Sequence, residues 1–307
     1  MTGYLIGRIG RMALTIWVIA TLVFVAMRLT GNPIDFIMPE GLDANSREMM
    51  IAYFGLDRPA FEQYFRFFRA ISDGEFGLGL VERRPVSVIF AERVGPSLRL
   101  LLLTLLVTIS LGVPLGILAA VRRRSATGAA ILTIAFVGYS LPNFILSILL
   151  LLLFSFTLHW LPSSGNATFL HHVMPTIALS SFFVASLVRY TRSAMLDVLE
   201  QDYVRTARAK GLSEREVIFS HGLRNALIPV ITVIGLQITT LVSGAVVVEY
   251  IFAWNGIGDL LVGATLRRDY PVLQYGVLIV ATAVVTVNFA IDLLYAAVDP
   301  RVRLAQA

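Results

Sequence analysis

Apolar residues are grouped along this chain in long uninterrupted blocks. Residues 100–121, 129–158, 225–248 and 271–291 contain no Asp, Glu, Lys or Arg. Each block is long enough to cross a hydrocarbon core of roughly 30 Å as a helix, which takes about 20 residues. A β-barrel would instead show alternating segments of about ten residues. The pattern therefore predicts an all-α membrane protein.

Six transmembrane helices account for these blocks and for two further apolar stretches. They are predicted over residues 12–27, 98–120, 130–157, 173–190, 226–248 and 272–297. The first is interpreted as a retained helix rather than a signal peptide, because no small-residue cleavage site follows it. Pro142 lies inside the third helix, where we expect a kink.

Basic residues in the short loops predict the orientation. Arg8 and Arg11 precede the first helix, Arg122–Arg124 follow the second, and Arg301 and Arg303 follow the sixth. The positive-inside rule then places both termini in the cytoplasm. The predicted organisation has three parts: an N-terminal tail with the first helix at 1–30, a periplasmic segment at 31–97, and a core transmembrane domain at 98–307 that includes a cytoplasmic loop at 191–225.

Composition excludes several classes of protein. The chain is 57% hydrophobic and only 15% charged, against about 25% charged residues in soluble domains. A soluble enzyme and a disordered chain are therefore excluded. Cysteine is absent, which excludes disulfides and thiolate metal sites. The net charge of +5 is explained by the positive cytoplasmic side, and no nucleic-acid partner is expected.

The sequence contains no catalytic constellation and no nucleotide-binding loop of its own. The phosphate-binding motif G-x-x-x-x-G-K-[ST] needs a lysine after glycine, whereas the only lysine, Lys210, precedes Gly211. Active transport would thus take its energy from another chain. The alternative is an ion-coupled carrier acting alone with Asp292 as its proton site, although Asp292 also fits a packing contact between spans.

The loop around residues 202–221 reads as two short helices separated by Gly211. Glycine adopts the left-handed conformation that ends a helix. Ser213 offers an N-cap, and Glu216 three residues later completes a capping box. Small residues at Ala207 and Gly211 would let another protein surface approach closely. An amphipathic loop lying on lipid headgroups is the other interpretation left open by the residues alone.

This loop resembles the EAA loop of ABC-importer permeases, with Arg205-Thr206-Ala207 standing where Glu-Ala-Ala would be. The whole chain resembles the dipeptide/oligopeptide/glutathione/nickel permease family. The resemblance rests on short motifs found in this order: Phe54-Gly55-Leu56-Asp57-Arg58-Pro59, Asp73-Gly74-Glu75-Phe76-Gly77, Arg84-Pro85-Val86, Leu141-Pro142, Tyr190-Thr191-Arg192-Ser193, Val248-Glu249, Trp254-Asn255-Gly256-Ile257-Gly258, Arg268-Asp269-Tyr270-Pro271 and Asp299-Pro300-Arg301.

The resemblance implies a type I ABC-importer-like permease fold in the bacterial inner membrane, working by alternating access. It implies a second, related permease subunit, two ATP-binding subunits and a periplasmic solute-binding protein as partners, besides membrane lipid. ATP would be bound by the partner subunits, and no cofactor by this chain. The solute would be a dipeptide, an oligopeptide or glutathione, with nickel less favoured. The residues expected to couple to the ATPase are Arg205, Ala207, Lys210, Gly211, Leu212, Ser213 and Glu214.

Polar residues on the apolar spans are candidates for the translocation path. They are Ser140, Asn143, Gln237, Thr240 and Ser243. The last three recur at steps of three residues, which predicts a narrow polar strip on the fifth span. Hydrogen bonding between neighbouring helices is the alternative role for such residues. His159, His171 and His172 follow the third span, but no carboxylate or cysteine joins them. We therefore predict no metal site there.

Overall fold

The computed structural model describes residues 2–29, 48, 51 and 57–298, without the side chains of residues 2–5, 292 and 294–298. These residues form helices and one isolated antiparallel bridge, Leu78 with Pro85, and this described part contains no strand. The helices are α1 (Thr2–Leu29), α2 (Ala60–Asp73), α3 (Val86–Val121), α4 (Ala126–Ser140), α5 (Asn143–Leu150), α6 (Phe169–Leu199), α7 (Asp202–Ala209), α8 (Glu214–Glu216), α9 (Arg224–Ile251), α10 (Ile257–Arg267) and α11 (Tyr270–Val298). Two π-helical segments, Leu151–Thr157 and Val217–Leu223, continue α5 and join α8 to α9.

Within the described residues, five helical stretches are long and apolar enough to cross a membrane. They are Ile6–Leu29, Val86–Val121, Phe169–Leu199, Glu214–Ile251 and Tyr270–Ile291. A sixth span results when α4 and the segment Asn143–Thr157 are taken together. The all-α membrane fold is therefore confirmed, with six spans when the bent pair counts as one. The side of the membrane on which each terminus lies stays a prediction.

The third predicted span, residues 130–157, is not one kinked helix but two helices bent by 99°. Pro142 has no N–H to continue α4, and proline disfavours the helical conformation of the residue before it. Leu141 accordingly has the extended conformation, with φ −84° and ψ 118°. The break is larger than the kink expected from the sequence because the helix stops at Ser140 and begins again at Asn143.

The predicted span at 173–190 is the middle of a longer and well-buried helix, α6. Its Ser and Thr residues made it weakly apolar in sequence, yet Ser180, Ser186 and Thr191 are buried in the bundle. Contacts with neighbouring helices bury 61% of its most apolar window. The predicted span at 98–120 likewise lies within the longer helix α3, which begins at Val86.

Two compact units divide the chain: Met1–Gly95 with Gly256–Thr286, and Pro96–Asn255 with Val287–Ala307. The division predicted above is instead by side of the membrane, and it stays a prediction. The larger core of the second unit joins α3, α6 and α9 with the residues that follow α9. Its buried members include Leu100, Met174, Leu179, Phe183, Leu241, Val248, Phe252 and Trp254. The Trp254 indole Nε1 donates to the Pro96 carbonyl at 3.0 Å.

Close packing of α3 on α6 depends on two glycines of α3. A Cβ at Gly112 would lie 2.9 Å from the Leu187 Cβ, and one at Gly116 would lie 2.9 Å from the Val188 carbonyl oxygen. Only the absence of a side chain permits this approach.

The first unit packs the turn after α2 against the corner between α10 and α11. Its core contains Val86, Ile89, Phe90, Ala264 and Val272. Asp269 is buried and accepts from the backbone N–H of Val81 at 3.1 Å and of Val272 at 3.4 Å. One carboxylate thus caps the start of α11 and holds the turn that precedes α3.

Candidate functional site

Residues 202–223 form a small hairpin of helices with an apolar core of its own. Val204 and Ala207 on α7 and Val217 at the start of the π-helical segment are buried together. Val198 and Leu199, at the end of α6, pack against them. The apolar side of the 202–223 segment is thereby fixed to the bundle, and its charged side remains exposed.

The turn inside the 202–223 segment has the geometry that the sequence predicted. Gly211 has φ +81°, the left-handed conformation expected after a helix that ends at Ala209. The Ser213 hydroxyl accepts from the Glu216 N–H at 3.3 Å, and the Ser213 N–H donates to the Glu216 carboxylate at 3.1 Å. The predicted capping box is therefore confirmed.

The sequence predicted that the second short helix ends near His221, but the structure shows no end there. The helix continues through the π-helical segment Val217–Leu223 into α9, so that Glu214–Ile251 is one helical stretch. No residue between Val217 and Ile228 has the φ or the missing N–H that ends a helix. The 202–223 segment is consequently connected to a membrane span without an intervening loop.

Two polar contacts hold the 202–223 segment in place, and a third lies beside it. Arg208 Nε lies 2.7 Å from Glu214 Oε1, which joins α7 to α8 across Gly211. The Asn225 amide donates to the Tyr203 hydroxyl at 2.9 Å.

The third contact lies beside the segment, where Arg123 Nη1 is 2.6 Å from Glu200 Oε1. Both ion pairs border one cavity of about 140 Å³. This places the turn between α3 and α4 next to α7 and α8.

The residues predicted to couple to an ATPase fall on two sides of the 202–223 segment. Ala207 is buried in its core. The exposed ones are Arg205, Lys210, Gly211, Leu212, Ser213 and Glu214. A shallow groove of about 370 Å³ runs beside them, lined by Tyr203, Thr206, Ala207, Lys210, Leu212 and His221. Their contact with another subunit stays a prediction, and Arg208, which the prediction omitted, is the residue that joins the two helices.

The predicted path residues do not lie on one strip. Gln237 is buried on the same side of α9 as Leu241, and its amide has no hydrogen-bond partner among the described residues. Thr240 and Ser243 are exposed on another side of α9.

The other two path residues flank the break between α4 and α5. Ser140 ends α4, and its hydroxyl donates to the Phe136 carbonyl at 2.8 Å, while Asn143 begins α5. A path role for these residues stays a prediction.

Arg189 and Tyr139 are two residues that the predicted path did not include. The Arg189 guanidinium carbon lies 4.8 Å from the centroid of the Tyr139 ring. Arg189 is the next-to-last residue of the predicted span 173–190, and a charged residue within a span is the sequence signal that indicates a functional position.

His171 and His172, two of the histidines that follow the third span, have structural partners. His171 Nδ1 lies 2.7 Å from the Thr168 hydroxyl, and His172 Nδ1 lies 2.9 Å from the Thr168 carbonyl oxygen. The His172 ring also meets Trp254 edge to face at 4.7 Å. Within residues whose placement is described, no group of three or more His, Asp or Glu is arranged to hold a metal ion. The side chain of Asp292 lies outside the described residues.

Comparison with known proteins decides the family. The family described as binding-protein-dependent transport system inner membrane component matches residues 112–304. The glutathione transport system permease protein GsiC of Escherichia coli K12 is 40% identical over 304 residues, 99% of this chain and 99% of that protein. The chain belongs to this family. The permease is equally 40% identical to GsiC of Salmonella paratyphi A over the same length.

The fold agrees with this assignment. An inward-facing structure of the MetNI methionine ABC transporter superposes with a TM-score of 0.58 at 18% identity, covering 69% of the permease and 97% of that chain. The permease is thus an ABC-importer subunit of the inner membrane, a transport component and not an enzyme. Membership also implies ATPase and solute-binding partners, and it argues against an ion-coupled carrier that acts alone through Asp292.

Proposed function

We propose that the permease is one of two membrane subunits of an importer that takes up glutathione or short peptides at the expense of ATP. The observation that carries the choice of solute is the 40% identity, along 99% of both chains, to proteins named as glutathione transport permeases. A related but distinct chain would supply the second membrane subunit. Both termini and the 202–223 segment would lie in the cytoplasm.

The 202–223 segment is proposed as the docking site of an ATPase subunit. Its apolar core against Val198 and Leu199 keeps it from moving independently of α6. Its continuity with α9 offers a direct route by which a displacement at α8 would move a span. Two ATP-binding subunits, closing on ATP, would push on two such segments and open the path to alternate sides. The permease itself needs no cofactor in this scheme.

Uptake by the reconstituted complex tests the proposal. The permease is co-expressed with its second membrane subunit, its ATPases and its binding protein, and the complex is placed in proteoliposomes. We expect ATP-dependent accumulation of labelled glutathione or of a dipeptide, and mass spectrometry should find the same solute in the purified binding protein. Uptake that persists without the ATPase subunits, or a binding protein that retains an unrelated solute, would contradict the proposal.

A further inference from the structure

An arginine projects from a membrane-spanning helix of the permease, ten residues before the end of that helix. Arg189 on α6 holds its guanidinium carbon 4.8 Å from the centroid of the Tyr139 ring on α4. That ring in turn stacks on Phe182 at 4.9 Å, with 21° between the planes. Arg189 and Tyr139 are both exposed, Tyr139 to 41%. An aromatic platform therefore positions a cation on an open face of the described chain.

The platform lies deep within the span. α4 begins after Ser125, whose hydroxyl caps it, and directly after Arg122–Arg124, which mark a membrane–water boundary. Tyr139 is 13 residues beyond Ala126, the first residue of α4, which at 1.5 Å per residue is about 20 Å along the helix. A hydrocarbon core of about 30 Å places the Tyr139 ring, and the guanidinium over it, inside the apolar layer.

An exposed guanidinium at that depth does not face lipid. A charge in the bilayer centre costs several kcal/mol, so intramembrane arginines face the protein interior or a water-filled cavity. No carboxylate among the described residues lies within ion-pair distance of Arg189. The face of α4 and α6 that carries Tyr139 and Arg189 is therefore better suited to the aqueous path than to lipid.

The chemistry of this site selects one kind of group. The Arg189 guanidinium lies over the Tyr139 ring, and its N–H donors form a planar fork that matches both oxygens of a carboxylate. Two polar residues follow Tyr139 closely in the chain: Ser140 ends α4, and Asn143 begins α5 after the break. The site is thus suited to an anion that arrives along the path.

We propose that Arg189, held by Tyr139, binds a carboxylate of the solute as it crosses the membrane. The proposal rests on the proposed function, because glutathione and peptides both carry free carboxylates. It adds a recognition step inside the membrane to the choice of solute by the binding protein.

Glutathione uptake by the complete complex in proteoliposomes tests the site. Arg189→Gln should lower uptake at least tenfold, and Arg189→Glu should lower it further, while ATP hydrolysis stimulated by the binding protein stays within twofold. Arg189→Lys, which keeps the charge but not the fork, should retain an intermediate rate. Tyr139→Phe keeps the ring and should transport nearly as wild type, whereas Tyr139→Leu should fall severalfold.

The outcomes separate the site from the function. Failure of the wild-type complex to take up glutathione and peptides would overturn both. Wild-type uptake together with normal uptake by Arg189→Gln, at equal abundance, would overturn the site alone. If the Arg189→Gln complex lost its second membrane subunit during purification, Arg189 would instead be identified as a contact between the two membrane subunits. Wild-type uptake that requires anionic lipid, with no such requirement in Arg189→Gln, would identify a lipid phosphate as the ligand, and either result would overturn the carboxylate site.

Discussion

Arg208 and Glu214 meet at 2.7 Å across the turn at Gly211, so that α7 and α8 are joined side chain to side chain as well as through the backbone. Both side chains are partly exposed, to 40% and 64%, and such a pair contributes at most about 1 kcal/mol to stability. Its importance is therefore geometric: it fixes the angle between the two helices that the proposed ATPase would contact.

A single charge reversal in this pair should uncouple transport from ATP hydrolysis, and reversing both charges should restore the coupling. Arg208→Glu places like charges together and should lower the uptake per ATP hydrolysed severalfold, with little change in the melting temperature of the complex. Arg208→Glu combined with Glu214→Arg should regain most of the coupling. Arg69→Glu, which breaks the exposed pair with Asp73 on α2, serves as the control. Equal coupling in all of these variants would mean that the pair does not set the angle.

Gly211 allows a sharper test of the same turn. Proline fixes φ near −65°, which is incompatible with the observed +81°. Gly211→Pro should therefore displace α8 and abolish ATP-driven uptake at normal abundance in the membrane. Asparagine tolerates the left-handed conformation, so Gly211→Asn should keep at least half of the uptake. Normal uptake by Gly211→Pro would remove the 202–223 segment from the coupling mechanism.

The sequence predicted this turn because its determinants are local. A glycine followed at two residues by Ser213, and at five by Glu216, specifies a left-handed end and a capping box without reference to the rest of the chain. The contact between Arg208 and Glu214 was not predictable in this way. It depends on the angle that the turn gives to the two helices, and no spacing rule encodes it.

The predicted polar strip on α9 shows a second limit. Steps of three residues fall about 60° short of a full turn of an α-helix, so Gln237 and Ser243 point about 120° apart. Gln237 is accordingly buried while Ser243 is exposed. The break at Pro142 was foreseen as a kink, but its size depends on where α5 finds packing partners, which the local sequence does not determine.

The N-cap at Ser213 should be measurable by itself. Ser213→Ala removes the hydroxyl that accepts from the Glu216 N–H, and such a loss typically costs about 1 kcal/mol of local helix stability. Amide hydrogen exchange should become faster at residues 214–219. Ser220→Ala, at an exposed position beyond the cap, should leave exchange unchanged. Equal protection in both variants would show that the packing of Val217, rather than the cap, begins this helix.

The glycines of α3 give a prediction about the stability of the permease that is independent of transport. An added Cβ at Gly116 would lie 2.5 Å from the Thr191 Cβ and 2.9 Å from the Val188 carbonyl oxygen, both on α6. Since the carbonyl belongs to a buried helix and cannot move alone, Gly116→Ala should force α3 away and destabilise the permease by about 1–3 kcal/mol. Gly263→Ala is the matched control, because nothing lies within 4 Å of its added Cβ and alanine is favoured over glycine in a helix by about 1 kcal/mol. Thermal unfolding of the purified permease should rank Gly116→Ala below wild type and Gly263→Ala at or above it. If both variants melted alike, α3 and α6 would not be in the close contact that these two glycines permit.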